Sequence, residues 1–484
     1  MLSTAGIILV FILMAFLMFL RILPALLALP IMAFLIALVG GVHLNDIFIY
    51  VIGDGAFRLH QAYTITLFGG MLSIFLQRSG IAENFIRKGA ELAGDNPFNV
   101  SFIVLILTAL LFTTLGGLGA IIMVATIILP IMSSVGINPL TIAGIFLIGL
   151  SIGGILNPQN WVLYINVLKV EFNTVKTFSL ALFIIAFLIG IVFIAFELKR
   201  EKLLKISSST FLKYLVGLLV FIFAIVLFNF ANFESGILKV FLKYLKSLSL
   251  FLFAIFGIYI LVEFVRKLIT PSKVGKLKWY AFLTPLVPLV IIFAFGSQYF
   301  IIAFIAGLFY GFITSYRKGS LNLLMQSIID GASSVIPAVA LMLGIGMLLN
   351  AILGPANWDG EWKVYAQLKP LFNAIVPSSP ISYVVLFSLL SPLALYRGPL
   401  NVWGLGYGIA TLLSAPIGNL PPASVMGLLL SVGQIQGVCD PTNTHNVWIA
   451  NELRIDVNQI LKKTFPYMWV LATLGLVISA IMFL

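Results

Sequence analysis

Four short polar stretches interrupt an otherwise apolar chain, and they hold the residues whose types could do chemistry. The first, 113–119, reads Thr-Thr-Leu-Gly-Gly-Leu-Gly. Its centre, Thr114, Gly116 and Gly117, permits a sharp reversal and leaves backbone N–H groups uncovered. Two helix ends meeting there would offer partial charges to an ion or an anion. The second, 153–160, sets Asn157, Gln159 and Asn160 around Pro158, which removes a backbone donor and disrupts the preceding turn. Carboxamides at such a break fit a cavity wall or a cation site. The third, 391–401, carries Arg397 and Asn401. A guanidinium inside an apolar segment marks a ligand or ion path, and its planar fork suits a carboxylate. The fourth, 434–446, sets Asp440, Thr442, Asn443, Thr444 and His445 around Pro441. Asp440 suits Na⁺, a coupling proton or a pairing with Arg397, and His445 suits either a group that titrates near neutral pH or a hydrogen-bonded structural histidine.

The elements that must position these stretches are transmembrane helices. The chain is 61% hydrophobic and 9% charged, which excludes a soluble globular enzyme. Its apolar runs are continuous and about 17–25 residues long, so they read as helices rather than barrel strands. The fold class expected is an all-α polytopic membrane protein of about 12 transmembrane helices plus two re-entrant hairpins. Spans are predicted near 5–20, 22–41, 61–77, 140–168, 178–196, 211–231, 248–265, 281–297, 299–316, 325–353, 424–453 and 466–484. The hairpins fall at about 98–135 and 381–419, each broken by Gly, Pro and polar residues. The segment 5–41 is not read as a cleaved signal peptide, because no small-residue cleavage site follows it.

Charge placement gives the expected orientation. Lys and Arg number 19 in Arg21, 78–97, 197–213, 266–278, 317–318 and 454–463, against 8 in 42–60, 169–176, 232–247 and 361–369. The first set is read as cytoplasmic and both termini as external. The remaining basic residue of the 28 is Arg397. Trp358 and Trp362 are expected to anchor the interface. The net charge of +12 follows from this sorting, and no basic run tracks phosphates, so no nucleic-acid partner is expected.

An internal repeat organises the spans. Residues 139–160 align with 422–443 at one constant offset, matching Pro139 with Pro422, Gly144 with Gly427, Gly154 with Gly437, Pro158 with Pro441 and Asn160 with Asn443. After a two-residue insertion the match resumes, with Asn173 against Asn458. The expected domains are a first repeat, 1–196, a two-helix linker with basic loops, 197–280, and a second repeat, 281–484. Five helices plus a two-helix linker make the copies enter the membrane in opposite senses. That is the inverted-topology architecture of secondary transporters, with a site at the repeat interface.

The stretches 137–161 and 168–171 resemble the first broken helix of the ion-transporter superfamily of secondary transporters, and particularly its citrate–metal–proton symporter branch. The stretch 420–444 resembles the second. The likeness covers roughly 68–180 and 340–484. It implies that two hairpin tips and two helix breaks surround an organic-anion site coupled to Na⁺ or H⁺, here at 113–119, 154–160, 391–401 and 437–446. Two departures stand out. The first tip lacks the acidic and Asn residues common in citrate symporters, and the second carries Arg397 where such relatives carry Asn-Asp.

The expectation is therefore a secondary active transporter for uptake of a small organic carboxylate by alternating access, coupled to H⁺ or Na⁺. Substrate binding is expected at Arg397, Asn401, Thr442, Asn443, Thr444, Asn157, Gln159, Asn160 and Thr114. Ion coupling is expected at Asp440, His445, Gly116 and Gly117, with any Na⁺ near Asn157 and Asp440. No catalytic residues, cofactor or resident metal are expected. The single cysteine, Cys439, and three histidines give little scope for a metal centre. No zincin, serine-hydrolase or nucleotide-binding motif occurs. The partners expected are the organic anion, the lipid bilayer and, as the resemblance implies, a second copy in a homodimer; the location expected is a prokaryotic plasma (inner) membrane. Rival readings are a cation/proton antiporter and, more remotely, a membrane-embedded enzyme or a channel.

Overall fold

The computed structural model describes residues 2–20, 22–204, 255–269, 277–355, 358–375, 377, 379–398, 400–401, 406, 413 and 420–484, with the backbone alone for 2, 19, 371–375 and 397. The expected helix over 211–231, part of that over 248–265, nearly all of the second hairpin beyond Asn401 and the Arg397 side chain lie outside the described residues.

The protein is an all-α polytopic membrane protein; among the described residues every regular element is helical. Among the described residues six helices are long and apolar enough to cross a membrane, or seven if one bent pair counts as a span, and six shorter apolar helices accompany them. The helices are α1 (Leu2–Phe19), α2 (Ala25–Val39), α3 (Leu44–Arg78), α4 (Ile81–Ala93), α5 (Pro97–Phe112), α6 (Leu118–Ser134), α7 (Pro139–Ile155), α8 (Pro158–Val167) and α9 (Phe172–Arg200). A helical stretch over 255–269 follows. Then come α10 (Trp279–Phe295), α11 (Phe300–Thr314), α12 (Ser320–Leu353), α13 (Lys363–Ile375), α14 (Pro380–Leu390), α15 (Pro422–Cys439), α16 (Thr444–Glu452) and α17 (Val457–Phe483).

Helix starts follow local chemistry. Asn96 caps α5 by accepting from Phe98 N at 2.9 Å, with Pro97 in the first turn, where a missing N–H costs nothing. At the same spacing as the repeat, Ser379 caps α14, accepting from Ser382 N at 3.2 Å, with Pro380 next. Each hairpin arm is preceded by a short amphipathic helix, α4 or α13. Helix α4 buries Ile81, Ala82, Ile86 and Ala93 and leaves Glu83, Arg87 and Lys88 outward.

The long helices α3 and α12 cross antiparallel through small residues. A β-carbon on Gly55 would lie 2.7 Å from Met347 Cα, and one on Gly70 would lie 2.5 Å from the Gly331 carbonyl oxygen. Lipid supplies no hydrophobic drive between helices, so close backbone packing of this kind holds them together.

Two expectations need correction. The stretches 42–60 and 361–369 are largely helical rather than loops: α3 begins at Leu44 and includes a wide turn over Ile47–Asp54, while 361–369 enters α13 at Lys363. Polar Asp54 and Arg58 obscured α3 in the sequence. Tertiary packing on α12 overrides that signal. Arg58 is accordingly half-buried, donating to Asn350 Oδ1 and, at 2.9 Å, to Gly354 O. Trp362 is buried, its Nε1 donating to Ala351 O at 2.8 Å, so it packs the core rather than anchoring the interface. Glu197 is a second buried acid besides Asp440. It takes Lys463 at 2.9 Å and the Tyr467 hydroxyl at 3.0 Å, tying α9 to α17.

Candidate functional site

The first break begins where Pro158 cannot donate to α7. Asn157 bridges it in two directions. Its Oδ1 accepts from Gln159 N at 3.0 Å, capping α8. Its Nδ2 donates to Phe112 O at 3.0 Å and Leu115 O at 3.1 Å, clamping the break to the first hairpin tip. Gln159 adds a bond from Nε2 to Thr114 O at 3.2 Å. The carbonyls freed by the break are taken as well: Asn160 Nδ2 donates to Gly154 O at 2.8 Å and Trp161 Nε1 to Ile155 O at 2.7 Å.

The tip between α5 and α6 turns at Gly117, whose φ of 84° is the left-handed region that glycine enters freely. Ser73 Oγ holds Gly116 O at 3.2 Å. The Thr114 hydroxyl donates to Pro285 O at 2.6 Å and is buried.

The second break repeats this plan with other residues. Asp440 occupies the position matched to Asn157, and its Oδ1 accepts from Thr442 N at 2.8 Å and Thr442 Oγ1 at 2.7 Å. Asp440 Oδ2 meets Asn401 Nδ2 of the second tip at 3.5 Å. Asn443 Nδ2 donates to Gln436 O at 2.6 Å, His445 Nε2 lies 3.0 Å from Gly437 O, and Asn446 Nδ2 reaches Val438 O at 3.1 Å and Asp440 O at 2.9 Å. Side chains thus close the freed carbonyls of both breaks, as burial requires. Asn446 Oδ1 is buried and accepts no hydrogen bond.

Matched positions also meet or share geometry across the repeats. Ser151 Oγ donates to Gln434 Oε1 at 2.5 Å, and these two residues occupy the same place in the two copies. Lys169 and Arg454, paired after the insertion, both sit just past a short helix with φ of 57° and 54°. Burial and the nearby Arg58 charge hold the Lys169 ammonium below its ordinary pKa.

The four polar stretches surround one cavity of about 670 Å³. Of the residues singled out in the sequence, Gly116, Gly117, Asn157, Gln159, Asn160, Asn401, Asn443, Thr444 and His445 line it. Thr114, Asp440 and Thr442 stand behind the wall, engaged as above. The backbone of Arg397 ends a 3₁₀ turn, Ser391–Arg397. Sequence reasoning missed Thr66, Ser151, Tyr164 and Ser334, and passed over Gln434 and Gln436, all of which line the cavity. Ser151 was findable, because the repeat offset pairs it with Gln434. Among the described residues no cluster of three His, Cys, Asp or Glu could hold a metal ion. The proposed Na⁺ position near Asn157 meets an amide already committed on both its nitrogen and its oxygen.

No protein-family model and no curated protein matches the chain. Among solved structures, the chain is similar to the YdaH transporter of Alcanivorax borkumensis, with 13% identity, a TM-score of 0.47, and coverage of 87% of this chain and 86% of that one. A likeness of that size leaves function to be argued from the residues themselves.

Proposed function

We propose that the protein is a secondary active transporter that takes up a small organic carboxylate by alternating access. The observation that carries this reading is the cavity itself, to which two helix breaks and two hairpin tips each contribute lining residues. Broken helices at a repeat interface are the usual setting of a transported solute. The antiparallel crossing of α3 with α12 and the Ser151–Gln434 contact between matched positions support an inverted-repeat arrangement.

In this reading Arg397 supplies the charge for the carboxylate, and Asn401, Asn443 and Thr444 complete that side. Asn157, Gln159 and Asn160 shape the opposing wall and keep the first tip in place. Coupling is to H⁺. Of the described lining residues, His445 carries an imidazole, the side chain suited to proton exchange near neutral pH, and Asp440 stands behind it with its carboxylate on the second tip. A strict Na⁺ requirement would instead point to the buried Oδ1 of Asn446.

The test is uptake of labelled citrate, succinate, gluconate and lactate into proteoliposomes under imposed pH and Na⁺ gradients. Saturable accumulation of one of them under an inward H⁺ gradient is expected, and Arg397→Gln should abolish it. No saturable signal with any of the four would overturn the carboxylate reading. Na⁺-driven pH change without organic anion would favour a cation/proton antiporter.

A further inference from the structure

The long helices α3 and α12 meet around an arginine at each end of their crossing, and the two arginines are answered differently. Arg78 ion-pairs with Asp330. Twenty residues away on each helix (78 to 58, 330 to 350), Arg58 faces Asn350 instead, donating to its Oδ1 and, at 2.9 Å, to Gly354 O. Twenty helical residues rise about 30 Å, the thickness of a hydrocarbon core, so the two arginines stand at its two faces. At one face a carboxylate neutralises the guanidinium. At the other an amide stands in the acid's place, buried and fixed by its own bond from Nδ2 to Tyr50 O at 2.7 Å. It orients the guanidinium and leaves the charge whole.

A second cation joins Arg58. Gly69 of α3 packs on the Gln159 amide of α8. Arg58 lies before the first of these and Lys169 after the second, and the Arg58 charge bears on the Lys169 ammonium, so α3 and α8 run antiparallel and bring both cations to one end. The acids nearest in sequence, Asp54, Glu171 and Asp359, pair with neither, and among the described residues no carboxylate does. Arg58 Nε and Nη2 and the Lys169 ammonium make no hydrogen bond among the described residues. Taking a cation out of water without a counter-charge is costly, and a half-buried guanidinium held in one orientation is the fork that grips phosphate or carboxylate oxygens. We propose that Arg58 and Lys169 together bind an anionic oxygen group, the phosphate of a lipid headgroup or of a free anion, at the face where Asn350 replaces the acid. Neither residue lines the cavity, so this site is independent of the transport reading.

The full-length protein, purified in detergent, is offered phosphatidylglycerol, phosphatidylcholine of the same chain length, and inorganic phosphate. Native mass spectrometry reads the retained lipid, and equilibrium dialysis reads labelled phosphate. Retention of phosphatidylglycerol in preference to phosphatidylcholine supports the site and identifies a lipid headgroup. Saturable binding of phosphate supports it and identifies a free anion. Two variants locate whichever is seen. Asn350→Asp gives Arg58 the counter-charge that Asp330 gives Arg78, and Lys169→Gln removes a cation with no hydrogen bond of its own to lose, so the second remains informative where the first does not fold. Each should weaken binding at least about tenfold, the loss expected of one hydrogen bond to a charged group. Binding of neither probe to the wild-type protein, or binding that both variants leave unchanged, overturns the site.

Discussion

Asn157 and Asp440 hold the same place in the two repeats and do the same two jobs with opposite polarity. Each caps the short helix that follows its break, through Gln159 N at 3.0 Å or Thr442 N at 2.8 Å. Each also reaches a hairpin tip. Asn157 donates to the carbonyls of Phe112 and Leu115, whereas Asp440 accepts from Asn401. An amide has a donor and an acceptor end and needs no charge for this. A carboxylate can only accept, so its tip must bring the donors, and the strength of the contact depends on ionisation. The first clamp therefore holds no titratable group, whereas the second rests on a carboxyl. Two copies of one device have been divided into a neutral half and an acidic half.

The largest effect should come from making the neutral half acidic. Asn157→Asp sets a carboxylate against two buried carbonyls that it cannot hydrogen-bond. Leaving a buried charge without its partner costs about 3–5 kcal/mol, so thermal unfolding in detergent should fall sharply, and an unchanged midpoint would break the comparison. Next comes Asp440→Asn. It keeps the oxygen that caps Thr442, so stability should change by no more than about 1.5 kcal/mol, the net worth of a typical hydrogen bond. Accumulation under a pH gradient should nonetheless fall at least tenfold while downhill solute exchange persists; equal loss of both would make Asp440 structural only. His445→Gln should keep the bond to Gly437 O through its amide and flatten the pH profile of uptake over about pH 5–8, the range in which an ordinary histidine titrates. An unaltered profile would assign the proton elsewhere. The smallest effect is expected from Ser151→Ala, which removes one hydrogen bond at the repeat interface. A few-fold rise in KM with little change in Vmax would fit about 0.5–1.5 kcal/mol.

Much of this was legible in the sequence because proline and glycine leave physical marks there. Pro139 and Pro422 start helices, Pro158 and Pro441 follow breaks, and the run around Gly117 turns a hairpin. The carboxamides around the breaks were visible too, but not their orientation. Which prong of Asn160 turns to the break depends on where Gly154 O lies in space, and no spacing rule encodes that. The helix through Arg58 was hidden for a related reason. Its polar residues read as loop until the packing of Gly55 against Met347 is known. The repeat itself extends further than the identical residues revealed: Asn96-Pro97 and Ser379-Pro380 start matching hairpin arms with different caps.

The central claim, that the cavity between the breaks is the transported solute's site and opens to each side in turn, is tested most directly by labelling a cysteine placed in it. In a Cys439→Ala background, Thr444→Cys is reacted in oriented vesicles with a membrane-impermeant thiol reagent added to one side at a time. The account predicts reaction from both sides, with the balance set by the imposed pH gradient, and protection by the carboxylate that is accumulated. Reaction from one side only, indifferent to gradient and to every accumulated solute, would contradict it.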